Sequence, residues 1–267
     1  MDAELISAPQ LPRTVVRGYD FERVVSLVNP RMLYNKHLGL KEPVEQLWRK
    51  KDGKAEKLRA QVEEALNAAG GAAGLDCVYS FFSAEPDGDG IKVCEVGASR
   101  GAAERFAFPR QSAGEKLCLA DFVAPPSGEK RDSVALFVCT CGARILKQAS
   151  ESREKGDFVK SHLLNVVAMC LAEALAEAVH ADIRRQWGLA DRGAGSPEEL
   201  LLQRYRGKRF GFGYAACPDL ENQAPLFRLL RPEEIGVTLT ESFMMFPECS
   251  VSALVFHSEK ARYFELV

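Results

Sequence analysis

Arg209 heads the run RFGFGYAACPD, which closes at Asp219 and is the stretch of this 267-residue chain with the most distinctive chemistry. Glycines interleaved with aromatics let a backbone approach a flat ligand closely while rings cover its face. An arginine at the head of such a run offers a fork of N–H donors to a carboxylate. The same composition also suits a purely structural Gly/Pro loop, so the run alone does not decide between the two. Other chemistry-bearing residues are dispersed. His37, His162, His180 and His257 stand far apart; His180 falls close to Glu173 and Glu177 on a helical pattern, where surface pairing accounts for the trio without acid–base catalysis.

The eight cysteines include no C-x-x-C pair. Cys139 and Cys141 form one C-x-C at the end of the apolar run VALFVCTCG, a spacing that sends both to one face of a strand. Without a histidine pattern beside them, zinc is not expected and the thiols read as small buried hydrophobes. A P-loop is absent, and Gly211-Phe212-Gly213 supplies G-x-G without the third glycine of a dinucleotide fingerprint. Pro86-Asp87-Gly88-Asp89-Gly90 lacks the spaced acids and closing glutamate of a calcium loop and reads as a turn.

The elements that must position these residues follow from periodicity. CVYSFFSA, the PDGDG turn and IKVCEV predict a hairpin, and LCLADFVA, SVALFVCT, SVSALVFHS and ARYFELV read as further β-like runs. Glu45–Ala69 reads as a charged amphipathic helix, split near Asp52-Gly53 and stopped at Gly70-Gly71. The longest helix is predicted from about Asp157, a credible N-cap, to Trp187, with Arg184 and Arg185 suiting its C-terminal dipole. A further helix is expected to open at Pro197, and a short helix or strand at Tyr19–Val28 before the Asn29-Pro30 break. Strands in neighbouring runs and helices in long blocks, without βαβ alternation, predict an α+β fold with a mainly antiparallel twisted sheet. Residues 1–29 read as an N-terminal arm and 30–267 as one domain.

Lys and Arg number 35 against 37 Asp and Glu, a net charge of −2, which gives no electrostatic reason to expect nucleic acid or an anionic membrane as partner. No stretch reads as approaching the ~20 apolar residues of a membrane span. The opening MDAELISAPQLPR has acids where a signal peptide has bases, so a cytoplasmic location is expected.

The segment around Arg209 resembles the activation, or reactivation, domain of cobalamin (vitamin B12)-dependent methionine synthase, which binds S-adenosylmethionine through an R-x-x-x-G-Y-P motif. Four further segments match in the same order: CLADFVAP (118–125), LAEALAEAVH (171–180), LTESFMMFP with the following SVS (239–252), and RYFEL (262–266). The resemblance implies that Arg209 holds the ligand's carboxylate, that Gly213 and Tyr214 form the G-Y step, and that Tyr263 and Phe264 line the site where the family has two tyrosines. It implies that Glu173 acts near the ligand through water and that Asp20, or else Glu173, handles the ligand's ammonium. Ala215 replaces the motif proline, and Phe264 lacks the second tyrosine's hydroxyl. A carboxylate, an ammonium, a sulfonium and an adenine are complementary to an arginine, an acid and aromatic faces.

The chain lacks the D-x-H-x-x-G signature by which a cobalamin domain supplies its axial histidine, so methionine synthesis by the chain alone is not expected. The expectation is a free-standing reactivation protein that meets cobalamin only on a corrinoid-binding methyltransferase in trans. In the family, one electron from a flavodoxin-like donor and a methyl from S-adenosylmethionine return cob(II)alamin to methylcobalamin. Two alternatives remain: a docking module that only caps a corrinoid protein, and a binder of the same ligand with a non-corrinoid methyl acceptor.

Overall fold

Strand β2 (Asp76–Pro86) is buried over most of its length, and β5 (Asp132–Thr140) over all of it. They pair antiparallel from Asp76↔Thr140 to Ala84↔Asp132 and form the centre of a sheet ordered β4 (Glu104–Ala107), β3 (Gly90–Glu95), β2, β5, β9 (Ser250–Phe256), β6 (Lys208–Gly211). A further strand, β1 (Thr14–Val16), lies along the N-terminal half of β2, on the edge that β3 takes further on, and β7 (Thr238–Leu239) pairs antiparallel with β8 (Met245–Phe246) in a separate two-stranded ladder. The structure is a computed structural model that describes residues 4–71, 74–97, 103–189, 203 and 205–266. The antiparallel α+β architecture and the β2–β3 hairpin, closed by reciprocal Asp87–Gly90 backbone bonds, are as the sequence indicates. The helix predicted from Pro197 falls outside the described residues.

Both faces of the sheet are covered, which is why its central strands read as near-continuous apolar runs. Tyr79, Phe81, Phe137 and Val255 face a layer of helices, whereas Phe82, Leu136, Leu254 and Phe256 face the opposite side. The helical layer contains α1 (Phe21–Ser26), a π-helical turn (Arg31–His37), α2 (Val44–Arg49), α3 (Gly53–Gly70), α4 (Ala143–Glu154) and the 29-residue α5 (Phe158–Gln186). Asp157 caps α5 by accepting from Lys160 N, and Asp52 caps α3 from the break predicted there. The opposite face is closed by α6 (Gln223–Leu230) and the loops around Phe122 and Phe212.

Four expectations change. An 18-residue window of α5 has mean hydropathy 1.5, apolar enough to cross a membrane, but 78% of it is buried inside the fold, where the sheet and neighbouring helices take its apolar surface. LCLADFVA forms a 3₁₀ turn at Leu119–Phe122, not a strand, because Asp121 folds back to accept from Cys118 N at 2.9 Å. Arg262–Leu266 joins no ladder and packs through Phe264 against Phe122. The N-terminal segment is not a loose arm: Ile6 N donates to Asp132 at 3.1 Å, β1 is in the sheet, and Arg23 pairs with Asp182 of α5 at 2.7 Å.

Candidate functional site

Arg209 lies in β6 opposite Val255 of β9. Strand alternation sends its neighbour Phe210 to the far face, where it stacks on Phe122 at 5.9 Å, and leaves Arg209 toward α5. On α5, Glu173, Glu177 and His180 recur at helical spacing and share a face. The Arg209 side chain, 15% exposed, donates Nη1 to Glu177 Oε2 and holds Nη2 3.9 Å from Glu173 Oε2. Burial is the largest single influence and opposes its charge, but Glu177, Tyr205 and Glu173 together outweigh it and hold the guanidinium's pKa above its ordinary value. Glu177's other oxygen accepts from the Tyr205 hydroxyl at 2.9 Å.

Glu177 and His180 are therefore buried, not surface-paired as their polarity suggests. His180 Nδ1 sits 3.3 Å from Arg209 Nη1. Burial, reinforced by the cations Arg209, Arg184 and Lys208, pushes its pKa well below the ordinary 6.5. Below pH 6.5 the unfolded chain takes up a proton that folded His180 refuses, so stability falls as pH drops, by up to about 1.4 kcal/mol per unit. Denaturant melts from pH 7.5 to 5 should show His180→Asn gaining on the wild type by about 1–2 kcal/mol. A pH-independent gap between the two would contradict the buried neutral imidazole.

After β6 the chain turns through Gly213, whose φ of +85° belongs to the left-handed region. Its N–H donates to Cys217 O at 2.8 Å, and Cys217 N returns a 2.8 Å bond to Tyr214 O. Tyr214 folds back over Gly211: a Cβ at position 211 would meet the ring's Cδ2 at 2.9 Å. Glu173's carboxylate, with partial burial, raises the pKa of this phenol.

Two hollows meet at Arg209 and Tyr214. One, of about 570 Å³, lies between α5, the π-helical turn and residues 248–251, and is lined also by Glu173, Glu177, Met32 and Met169. The other, of about 460 Å³, is lined also by Gly211, Ala215, Tyr263 and Phe264. The structure thus brings together Arg209, Tyr214, Ala215, Tyr263, Phe264 and Glu173, with Gly213 in the turn that shapes them. Asp20 is not brought to this group. It caps α1 by accepting from Arg23 N at 3.2 Å and lines neither hollow. The neighbouring Tyr19 and Arg23 contact Asp182, nine residues along α5 from Glu173, about 13 Å at the helical rise. Tyr205 and Glu177 carry no sequence signal of their own; only the partner on β6 reveals them.

The thiols at the site are not nucleophiles at neutral pH. Cys170 and Cys249 line the larger hollow, and burial first of all pushes each up to about 11. Cys139 and Cys141 both lie in the helix-side core, where burial raises them further still.

Arg209, backed by the buried Glu177 carboxylate, thus stands where two hollows meet, the smaller of them lined by Phe210, Tyr214, Tyr263 and Phe264. The chain belongs to the family described as the vitamin B12 dependent methionine synthase activation domain, whose model matches residues 21–267. Methionine synthase of Mycobacterium tuberculosis (strain ATCC 25618 / H37Rv) is 38% identical over 204 residues, 71% of this chain and 17% of that protein. Methionine synthase of Mycobacterium leprae (strain TN) is 36% identical over 203 residues, again 71% of this chain and 17% of that protein. The chain thus spans about one sixth of the length of these relatives. A solved structure described as the MetH reactivation domain bound to AdoHcy superposes with a TM-score of 0.89 at 26% identity, covering 98% of this chain and 83% of that one.

Proposed function

We propose that this protein binds S-adenosylmethionine in the paired hollows at Arg209 and supports the reductive remethylation of cob(II)alamin held by a separate corrinoid-dependent methyltransferase. The observation that supports the reading is the placement of Arg209: its Nη1 is tied inward to Glu177, and the residue lines both hollows. Arg209 takes the ligand's carboxylate, Glu173 meets its ammonium, and Tyr214, Tyr263 and Phe264 supply ring faces for the adenine and the sulfonium. Gly213 and Ala215 shape the turn. The ligand supplies the methyl group; the chain's own residues bind and orient it and exclude water. A flavodoxin-like protein is the proposed electron donor. The AdoHcy-bound structure and the methionine synthase relatives support this reading.

Calorimetric titration with S-adenosylmethionine should give saturable binding. With a reductant present, methylcobalamin formation from cob(II)alamin should then require both this protein and S-adenosylmethionine, and no rate gain over reductant alone would overturn the proposal. Gly211→Ala is expected to weaken the ligand by about 3–30-fold, since a methyl at 2.9 Å must lift the Tyr214 ring off β6. Tyr214 is 66% exposed, so its displacement uncovers little buried surface and the melting temperature should stay near wild type. Unchanged affinity in this variant would remove Tyr214 from the site.

A further inference from the structure

His180 is fully buried on α5, at the back of the guanidinium that the proposed ligand meets from the front. Arginine can only donate, so a 3.3 Å approach of Arg209 Nη1 to His180 Nδ1 makes Nδ1 the acceptor and places the ring proton on Nε2. Nε2 has no hydrogen-bond partner among the described residues. A buried imidazole that spends one nitrogen on Arg209 and leaves the other unsatisfied costs stability, and packing alone would be served better by leucine. The ring is held edge-on to Tyr205, centroids 5.4 Å apart. Tyr205 bonds Glu177 through its hydroxyl, and the Arg184 guanidinium covers its ring at 3.6 Å. Two acceptors from α5 therefore converge on one nitrogen of Arg209, Nη1, and engage both of its protons.

From this geometry we infer that His180 is a positioning residue: with Glu177 and Tyr205 it fixes the roll of the Arg209 guanidinium so that its remaining N–H groups face an incoming carboxylate. A guanidinium held by Glu177 alone can pivot about a single Nη1 contact; the second acceptor removes that freedom. Pre-orientation of this kind raises affinity by reducing the ordering cost at binding. It acts on the carboxylate end of the ligand and on no other part.

The inference rests on the proposed S-adenosylmethionine site, and the test separates the two. Affinities for S-adenosylmethionine and for its decarboxylated analogue are measured by calorimetry on wild type, His180→Leu and His180→Asn, whose Oδ1 can replace Nδ1 as acceptor. His180→Leu should weaken S-adenosylmethionine by about tenfold while leaving the analogue within about twofold, and His180→Asn should restore most of the loss. Tyr205→Phe, which keeps the ring and removes the hydroxyl on Glu177, should show the same selective loss to a smaller degree. Equal weakening of both ligands, or no weakening in His180→Leu, would overturn the positioning role while leaving the binding site standing. No binding of either ligand by wild type would overturn the site itself. Independently of any variant, imidazole ¹⁵N shifts of the folded wild type should report the Nε2–H tautomer, and an Nδ1–H or doubly protonated ring would refute the geometry.

Discussion

Arg209→Leu is expected to abolish S-adenosylmethionine binding and to destabilise the fold by about 3–5 kcal/mol, both from loss of a single side chain. The binding loss follows from the fork: no other cation fronts both hollows among their described lining residues. The stability loss follows from the partner. The Glu177 side chain is 8% exposed and would lose its guanidinium partner, keeping the Tyr205 hydroxyl as a neutral donor in a site built around a cation. An uncompensated buried carboxylate is far costlier than a missing ion pair, because the pair's Coulombic gain had been offset by desolvation from the outset. The double variant Arg209→Leu/Glu177→Leu should therefore recover most of the stability and none of the binding. Denaturant melts of the four corners of this cycle measure the coupling. A double variant as unstable as the single would mean that the strand position, and not the stranded charge, was at fault; retained binding by Arg209→Leu would remove the anchor from the proposal.

This coupling also explains which parts of the site the sequence makes legible. Arg209, Gly213 and Tyr214 stand together in one loop, and Tyr263 and Phe264 stand together near the end, so their types and order carry a recognisable pattern. Glu177 and His180 have the polarity of surface residues, and nothing local says otherwise. What buries them is a guanidinium from a strand 29 to 32 residues further along, packed across the helix by the sheet. Asp20 illustrates a second limit of sequence reading: its type and place make it a candidate acid, but they do not reveal that its carboxylate accepts from the backbone of its own helix.

The fold divides along the same line. Long periodic elements such as α5 and the β2–β3 hairpin are set by their own residues, and the sequence shows them. Helix α4 is harder to see because only Ile145 and Ala149 of its twelve residues are buried, too thin a stripe to register as a period. Conversely, CLADFVA is apolar enough for a strand, yet its burial comes from the far-face core and its shape from Asp121 bonding the backbone three residues back. Apolar content reports burial; which element is buried depends on where the backbone hydrogen bonds go.

Asp132 is the second position where one substitution should have a large effect, here on stability alone. Its carboxylate is fully buried at the start of β5 and ties three separate segments. Oδ1 accepts from Ile6 N at 3.1 Å and faces His257 Nε2 at 2.6 Å, while Oδ2 accepts from Ala124 N at 2.7 Å. The N-terminal segment, the loop after the 3₁₀ turn and the residue that follows β9 thus meet on one side chain. Asp132→Ala strands two backbone donors and an imidazole, each worth about 1–3 kcal/mol when buried without a partner, so a total loss of about 3–5 kcal/mol is expected after partial relaxation. His257→Leu leaves both backbone bonds in place and should cost about 1–3 kcal/mol, the smaller share. Hydrogen exchange locates the damage: the Ile6 and Ala124 amides should lose protection in Asp132→Ala, whereas the central β2–β5 ladder should lose no more than the global destabilisation requires. Asp132 lines neither hollow, so ligand affinity should be unchanged wherever the variant is folded. A loss below about 1 kcal/mol with Ile6 still protected would mean that the other contacts of the N-terminal segment, β1 and the Ser133 hydroxyl on Ile6 O among them, hold it unaided, and that the carboxylate is a passenger in a core already closed.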